Sequence, residues 1–481
     1  MRLLRPILLA AGLTLTMSGC GSGGEGPAVT DAERRAGAEL HPQLLAEFGG
    51  AYSAPEARYL AQVGEKVADA AGLEGQCTFT LVNSNVVNAF AVPGCYIYVT
   101  RGLMGIINSE AEFASVLAHE VGHIVGNHSE EQQKRSLWRS LGVAAVGVLS
   151  GSERLAGLVG EAAAFFGLRY SRKQEYEADD LGLAYLQAAG YDPHEASEML
   201  GALGRNERYL TRTRSTDDAK SIPEWARTHP LTDNRVARAR EAALATGLAD
   251  NALPEHQARY LAEIDGLLYG DDPAQGFVLG RRFAHPVMRI GFEAPEGFTL
   301  TNSAQAIALD GPNGIRGEFG GGAMPRGGLA AYAEALLEQM LGQADARIGT
   351  PERTMVNGVE ALFLPASVAT RDGAVSLSLM AYAGPGGAYH FLMIGPPGEA
   401  PPAALQALFG SFRLLSSEEA AQLRPRRIAV VAAGPADTLR TLARRMASDD
   451  PLDHMLMLNG RSAEQPLRSG ERLKIVSWAG R

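Results

Sequence analysis

Residues 117–128 read LAHEVGHIVGNH and put three histidines and one glutamate within ten positions, among small and aliphatic residues. Two readings compete: a metal site, or an ordinary amphipathic helix that carries some histidines. Ser109 with Glu112 three residues on forms a capping-box pattern before the apolar run AEFASVLAHEVGHIVG, which predicts a helix over about 110–126. Four helical residues turn the chain by ~400°, so His119 and His123 leave one face a turn apart and both imidazoles can reach one ion. Glu120 points ~100° away, near enough to act as a base on a water at that ion without being a ligand. A catalytic zinc also needs a third protein ligand.

A local candidate misses by one residue. The order from His123 to His128 nearly fits H-x-x-G-x-x-H, but that register demands a histidine at 129, which is Ser129. His128 lies ~140° around from His123 and cannot join the same ion; it is expected to be exposed, interacting with the negative end of the helix dipole. The other candidate is Glu175, in Glu175-Tyr176-Glu177-Ala178-Asp179 of a second predicted helix over about 171–188. Glu175 and Asp179 are one turn apart, so a helix packed on the first could give Glu175 to the metal and let Asp179 accept the outer N–H of a ligand histidine. The competing reading is a solvated face paired with Arg172 and Lys173.

The chain has 481 residues, a net charge of -10, 46% hydrophobic and 20% charged residues. That is globular composition in several domains, and the acidic balance argues against nucleic acid as a partner. The RPRR run at 424–427 reads as a solvated linker. Arg2 and Arg5 precede a short apolar stretch, so residues 1–19 are expected to be an export signal. The sequence MSGC resembles a bacterial lipobox, which implies a lipid on Cys20, a tether over 20–30 and, with Gly21 next, the outer membrane; the alternative is a plain secretory signal. Cys77 and Cys95, in the strand-like runs CTFTLV and CYIYVT, then face an oxidising compartment, where they are either a disulfide or two buried free thiols.

Residues 54–71 place Tyr59, Leu60, Val63 and Val67 at helical spacing behind Pro55. The apolar segment 137–149 is too short to span a bilayer. Further helices are expected over 194–204 and 233–246, closing a domain at 31–250. A connector, 251–283, leads to an α+β domain, 284–418, in which Gly320 to Gly322 read as a turn because no Lys-Ser/Thr follows to make a phosphate loop. Residues 424–477 have the order strand, helix, helix, strand; their LMLNG and GERLKI segments resemble the LysM module, which implies peptidoglycan as a partner.

The order NAFAVPG (88–94), LAHEVGH (117–123), SRKQEYEAD (171–179) and THPLTDNR (228–235) resembles the gluzincin family of HtpX-like and CAAX prenyl-type metallopeptidases, in its soluble periplasmic branch. The resemblance implies a zincin-like domain, mainly α with a small β-sheet, and one zinc per chain. By it His119, His123 and Glu175 are the zinc ligands, Glu120 the general base and Asp179 the carboxylate behind a ligand. His229 either stabilises the transition state or plugs the open metal position, and Arg235 holds its loop. Ala89, Phe90, Ala91, Val92 and Pro93 match the edge strand that receives the substrate backbone. The expected function is an endopeptidase for envelope proteins, tethered to a membrane and acting on misfolded or misassembled ones. The alternatives are a non-catalytic wall-attached binding protein on a peptidase core, and a cell-wall hydrolase.

Overall fold

The computed structural model describes residues 29–128, 170–213, 225, 228–230, 233–342, 344–370, 373–397 and 401–480. The export signal, Cys20, nearly all of the tether and the segment 137–149 lie outside the described residues. No helix among the described residues is long and apolar enough to cross a membrane.

The first body opens with α1 (Asp31–Glu47) and α2 (Pro55–Ala70), the latter burying Tyr59, Leu60, Val63 and Val67 as its spacing predicts. Strands β1 (Thr78–Val82), β2 (Ala89–Val92) and β3 (Tyr96–Thr100) follow, with β3 central, parallel to β1 and antiparallel to β2, which leaves β2 as an edge. The β1–β3 register pairs Thr78 with Tyr96, so the cysteines just before each strand stand level. They form a disulfide with Cα atoms 4.6 Å apart, closing a loop of 18 residues; by loop entropy that is worth about 3 kcal/mol.

Next come α3 (Arg101–Ile106) and α4 (Glu110–Val125), which carries the opening motif and is buried from Glu110 to His123. Ser109 caps α4 by accepting from the Glu112 amide at 2.9 Å. The reciprocal half of the capping box is displaced: Glu112 reaches back to the Asn108 amide, and the Ser109 hydroxyl donates to Glu195. The helices α5 (Arg172–Ala188) and α6 (Glu195–Thr213) pack on α4, and α7 (Asp233–Ala245) packs on both of them; all three fall where the periodicity predicts, with α6 running longer than expected.

Residues 251–283 are not a bare connector. They form α8 (Gln257–Glu263), β4 (Leu268–Tyr269), β5 (Phe277–Leu279) and the start of β6 (Arg282–His285). Tyr260 of α8 packs against Phe113 of α4, and short strands carry too little periodicity to be seen in advance. The α+β region continues with β7 (Ile290–Glu293), β8 (Thr299–Asn302), β9 (Ile307–Asp310), β10 (Arg316–Gly322), α9 (Gly328–Leu341), β11 (Ala346–Ile348), β12 (Glu352–Val356), β13 (Val359–Thr370), β14 (Gly373–Gly384), β15 (Gly387–Gly395), α10 (Ala403–Gly410), β16 (Arg413–Leu414) and α11 (Ser417–Gln422). Its large sheet has the order β11-β13-β14-β15-β10-β9-β8. One face is covered by α9 through Leu329, Ala333 and Leu337, the other by α10 and an aromatic cluster around Phe319 and Phe391. Gly320 to Gly322, expected as a turn, instead end β10 and pair with His390, Tyr389 and Ala388 of β15. A run without side chains shows no alternation, so only its partner strand defines it.

The last region has the expected order: β17 (Arg426–Ala432), α12 (Leu439–Ala443), α13 (Pro451–Asn459) and β18 (Arg472–Trp478). Arg426 and Arg427 are not linker residues; they begin β17 and pair with β4, the Arg426 guanidinium lying over Tyr269. Ile428, Leu442, Met455, Leu458 and Val476 belong to the same apolar core as Met104, Phe113 and Tyr260. Lys474, fully buried, donates to the carbonyls of Gly105 at 3.0 Å and Ile107 at 2.5 Å, at the C-terminal end of α3.

Two outcomes follow from this packing. Lys474→Met strands two buried carbonyls and takes a cation from the neighbourhood of Glu112, and should lower stability by about 3 kcal/mol in urea titration. Burial, and next the charge of Glu112, push the Glu195 carboxyl up to about 8. The unfolded chain releases that proton near 4.5, so the folded protein holds more protons between the two values and loses stability as pH rises through that window. Glu195→Gln should flatten the fall in Tm between pH 5 and pH 8.

Candidate metal centre

The centre forms where α4 crosses α5, and two glycines set the distance. A Cβ on Gly122 would stand 2.8 Å from the Ala178 carbonyl oxygen, and one on Gly182 3.0 Å from the His119 nitrogen. With neither present, the first turn of α5 reaches the second half of α4. A Ser171 cap, closed into a box by Gln174, fixes that first turn and so the place of Glu175.

His119, His123, Glu175 and His229 each offer a donor atom, and the four atoms lie within 4.8 Å of one another, all buried. His119 Nε2 and His123 Nε2 are 3.1 Å apart, and Glu175 oxygens lie 3.7 and 3.6 Å from them. Tetrahedral zinc with bonds of ~2.0–2.1 Å needs donors about 3.3 Å apart, and two imidazoles with one carboxylate are a donor set it takes. The three residues fit the ion. His229 joins them, its Nδ1 3.0 Å from Glu175 Oε1 and 3.2 Å from His119 Nε2. Glu120 is fully buried, its carboxylate facing the backbone of Ala91 in β2, and its Oε1 lies 3.6 Å from His229 Nε2.

Behind the donors stands a second layer of charge. Asp179 Oδ1 is 3.0 Å from His119 Nδ1, the position expected from its helical spacing. Arg235 reaches further than its loop: it forks onto Asp179 at 2.8 and 2.7 Å, places Nη1 2.6 Å from Glu175 Oε2, and meets the Pro230 carbonyl only at 3.4 Å. The Arg172 and Lys173 pairing is therefore not what these carboxylates do. Burial works to raise both acids, but His229 and Arg235 hold Glu175 below its ordinary value, and Arg235 holds Asp179 well below. Burial and the neighbouring histidines push His123 well below its usual range, so it presents a neutral imidazole. Glu120, with burial outweighing the pull of His119, is pushed up to about 7.

His128 is the clearest correction. It is 2% exposed rather than solvated, and its Nδ1 lies 2.9 Å from Nδ1 of His123. The turn after α4 breaks the helical rotation, with Asn127 at φ 55°, and swings the ring back under its neighbour. With His123 Nδ1–H donating to His128 Nδ1, the neutral His123 ring turns its Nε2 lone pair to the cluster. Two aromatic rings also went unseen: Tyr170 stacks on His123 with centroids 3.8 Å apart, and Trp225 on His229 at 4.4 Å. Trp225 precedes His229 by four residues, and the His229 amide closes that turn on its carbonyl at 2.7 Å, so the spacing was a signal; nothing local marks Tyr170. Asp179→Asn and His128→Phe should each weaken zinc retention about 10–100-fold in chelator competition, with far-UV circular dichroism unchanged.

The arrangement has known counterparts. Residues 54–243 match the family described as peptidase family M48. The chain is 32% identical over 196 residues to the beta-barrel assembly-enhancing protease of Yersinia pestis, covering 39% of this chain and 38% of that protein. It is 32% identical over 201 residues to the putative beta-barrel assembly-enhancing protease of Vibrio cholerae, covering 38% of each. To the mitochondrial metalloendopeptidase OMA1 of Arabidopsis thaliana it is 41% identical over 128 residues, covering 26% of each. The matched segment thus spans well under half the length of these relatives. With the HExxH helix, the glutamate of the following helix and the buried histidine all inside the matched span, residues 54–243 are a peptidase family M48 domain.

Proposed function

We propose that the protein is a zinc-dependent endopeptidase of the bacterial cell envelope that cuts misfolded or misassembled envelope proteins. One observation carries this reading: the donor atoms of His119, His123, Glu175 and His229 converge, with the buried Glu120 carboxylate beside them. His119, His123 and Glu175 would hold the zinc. When bound, zinc polarises the scissile carbonyl and acidifies water at the site. Glu120 takes the proton from the attacking water and passes it to the departing amine; a base poised near neutrality suits both transfers. Asp179 and Arg235 keep His119 and Glu175 oriented. His229, within reach of Glu175 and His119, would lie beside the bound metal, either as a further donor in a resting form or as a hydrogen-bond donor to the developing oxyanion.

The edge strand β2, Ala89–Val92 with Pro93 after it, is the strand whose backbone would receive an extended substrate, although all four of its residues are buried in the substrate-free chain. The Cys77–Cys95 disulfide suits an exported protein. Lipidation at Cys20 and an outer-membrane address belong to the same proposal, as does action on barrel proteins, which rests on the names of the bacterial relatives. Peptidoglycan binding by residues 424–477 has less support, because that region packs an apolar face into the core of the peptidase body. The convergence of four donor atoms beside a buried carboxylate disfavours a non-catalytic binding protein.

Glu120→Gln should keep one zinc per chain and lose casein hydrolysis by about 100-fold or more, whereas Glu175→Ala should lose the metal, both read by metal analysis beside a proteolysis assay. Chelation should stop cleavage and added zinc restore it. Full activity in the Glu120→Gln protein, or hydrolysis of purified peptidoglycan in place of casein, overturns the reading.

A further inference from the structure

The loop 83–88 joins β1 to β2 without a regular backbone ladder of its own, so its neighbours decide where it lies. Its inner side rests on α3: the Gly102 amide donates to the Ser84 carbonyl, and a Cβ at Gly102 would stand 2.3 Å from the Asn85 oxygen. Its outer side is gripped by the turn between β4 and β5. Asn83 Nδ2 donates to Asp272 Oδ2 at 2.8 Å, Asn85 Nδ2 to Asp271 Oδ1 at 2.7 Å, and Gln275 Nε2 to the Asn83 carbonyl at 3.2 Å. All three partners lie outside residues 54–243, the span matched to the peptidase family.

Arg101 closes this bracket from within. It is 1% exposed, and its guanidinium donates to Asn83 Oδ1 at 2.7 Å, to the Leu268 carbonyl at 2.6 Å and to the Gly270 carbonyl at 3.2 Å. None of these acceptors is charged, and a buried cation is costly without a counter-charge, which Asp272 and Asp271 supply. Asp271 is also tied into the α+β region. Its Oδ2 accepts from the Val278 amide of β5 at 2.8 Å, and it hydrogen-bonds Asn302 of β8, the strand at one edge of the large sheet. One short turn thus holds a peptidase loop on one side and the α+β region on the other.

What the loop leads to is the site. The far end of β2 is fixed by the turn to β3 and by the disulfide at Cys95; its near end is fixed by the bonds of Asn88 to Thr100 and by the loop. The Val87 carbonyl accepts from the Trp225 amide at 3.3 Å, and the Trp225 carbonyl from the His229 amide at 2.7 Å, so the loop also meets the turn that carries His229. We propose that Asp271 and Asp272 are positioning residues for the protease: by fixing the loop 83–88 they set the strand that receives substrate, and through them the α+β region governs how tightly substrate binds. The inference rests on the protease reading, with β2 as its substrate strand. Metal binding lies outside this control, because His119, His123 and Glu175 come from α4 and α5.

The test reads substrate binding, local exchange and metal retention in the full chain, with folding followed by far-UV circular dichroism. In the Glu120→Gln background, polarisation of fluorescein-labelled casein should show Asp272→Ala and, separately, Asn85→Ala each binding about tenfold more weakly, the worth of one bracket bond. Asn85 is exposed, so its replacement leaves the core intact should Asp272→Ala fail to fold. Hydrogen–deuterium exchange should rise about tenfold in peptides that contain Ala89 to Val92 and in those that contain Trp225, and stay as in the parent in peptides from α5. Zinc retention in chelator competition should equal the parent's. As a control, Glu293→Ala breaks an ion pair with Arg281 in the same α+β region and should change none of these. Casein affinity or β2 exchange equal to the parent's in a folded variant overturns the proposal; so does a parallel loss of zinc, or an equal effect of Glu293→Ala, either of which would mark a general loosening. A parent chain that holds zinc yet leaves casein uncut fails the protease reading instead, and exchange at β2 still decides the bracket.

Discussion

The close approach of α4 and α5 is the contact on which the centre depends. Two helices normally lie 8–10 Å apart, at a distance set by the side chains between them. Here Gly122 lets the α5 backbone sit against α4, and Gly182 lets the α4 backbone sit against α5. The pair of glycines brings a carboxylate from one helix between two imidazoles of the other. An alanine at either place would add only one carbon, yet would press on backbone rather than on a side chain able to turn away. The glycine within the HExxH motif is thus a packing residue, and the convergence of His119, His123 and Glu175 rests on it.

Arg235 has a comparable reach. One guanidinium touches both Glu175 and Asp179, which in turn face His119, so two acids and an arginine share a site that is nearly dry. Burying three charges is costly unless each is paired. Their mutual pairing offsets that cost and keeps both carboxylates ionised as acceptors. A lysine could neutralise the charge but could not grip two carboxylates in a fixed plane.

Much of the centre was legible because helical rotation is regular. The 119/123 spacing, the 175/179 spacing and the failure of the 129 register all follow from 3.6 residues per turn. What regular rotation could not reveal is what happens where it stops. His128 sits just past the end of α4, where one residue in the left-handed region turns the ring inward, so an argument that extends the helix places it in solvent. The same limit explains Gly320 to Gly322, whose strand is defined by β15, and Arg426, whose partner β4 is more than 150 residues earlier. Periodicity identifies an element's face; it says little about a neighbour remote in the chain.

The bonds from Lys474 to Gly105 and Ile107 join residues 369 and 367 positions apart. Between them lies the whole α+β region, so the peptidase body is one folding unit interrupted by a long insertion. Synthesised at ~5–20 residues per second, the chain needs roughly 20–70 s to deliver Lys474 after the start of α4. Until then α3 lacks its contacts with α13, and α8 those with β18. The helix α4 itself packs on α2, α5 and α6, all of which precede the insertion, so what the last segment adds is cover for α3 and α8.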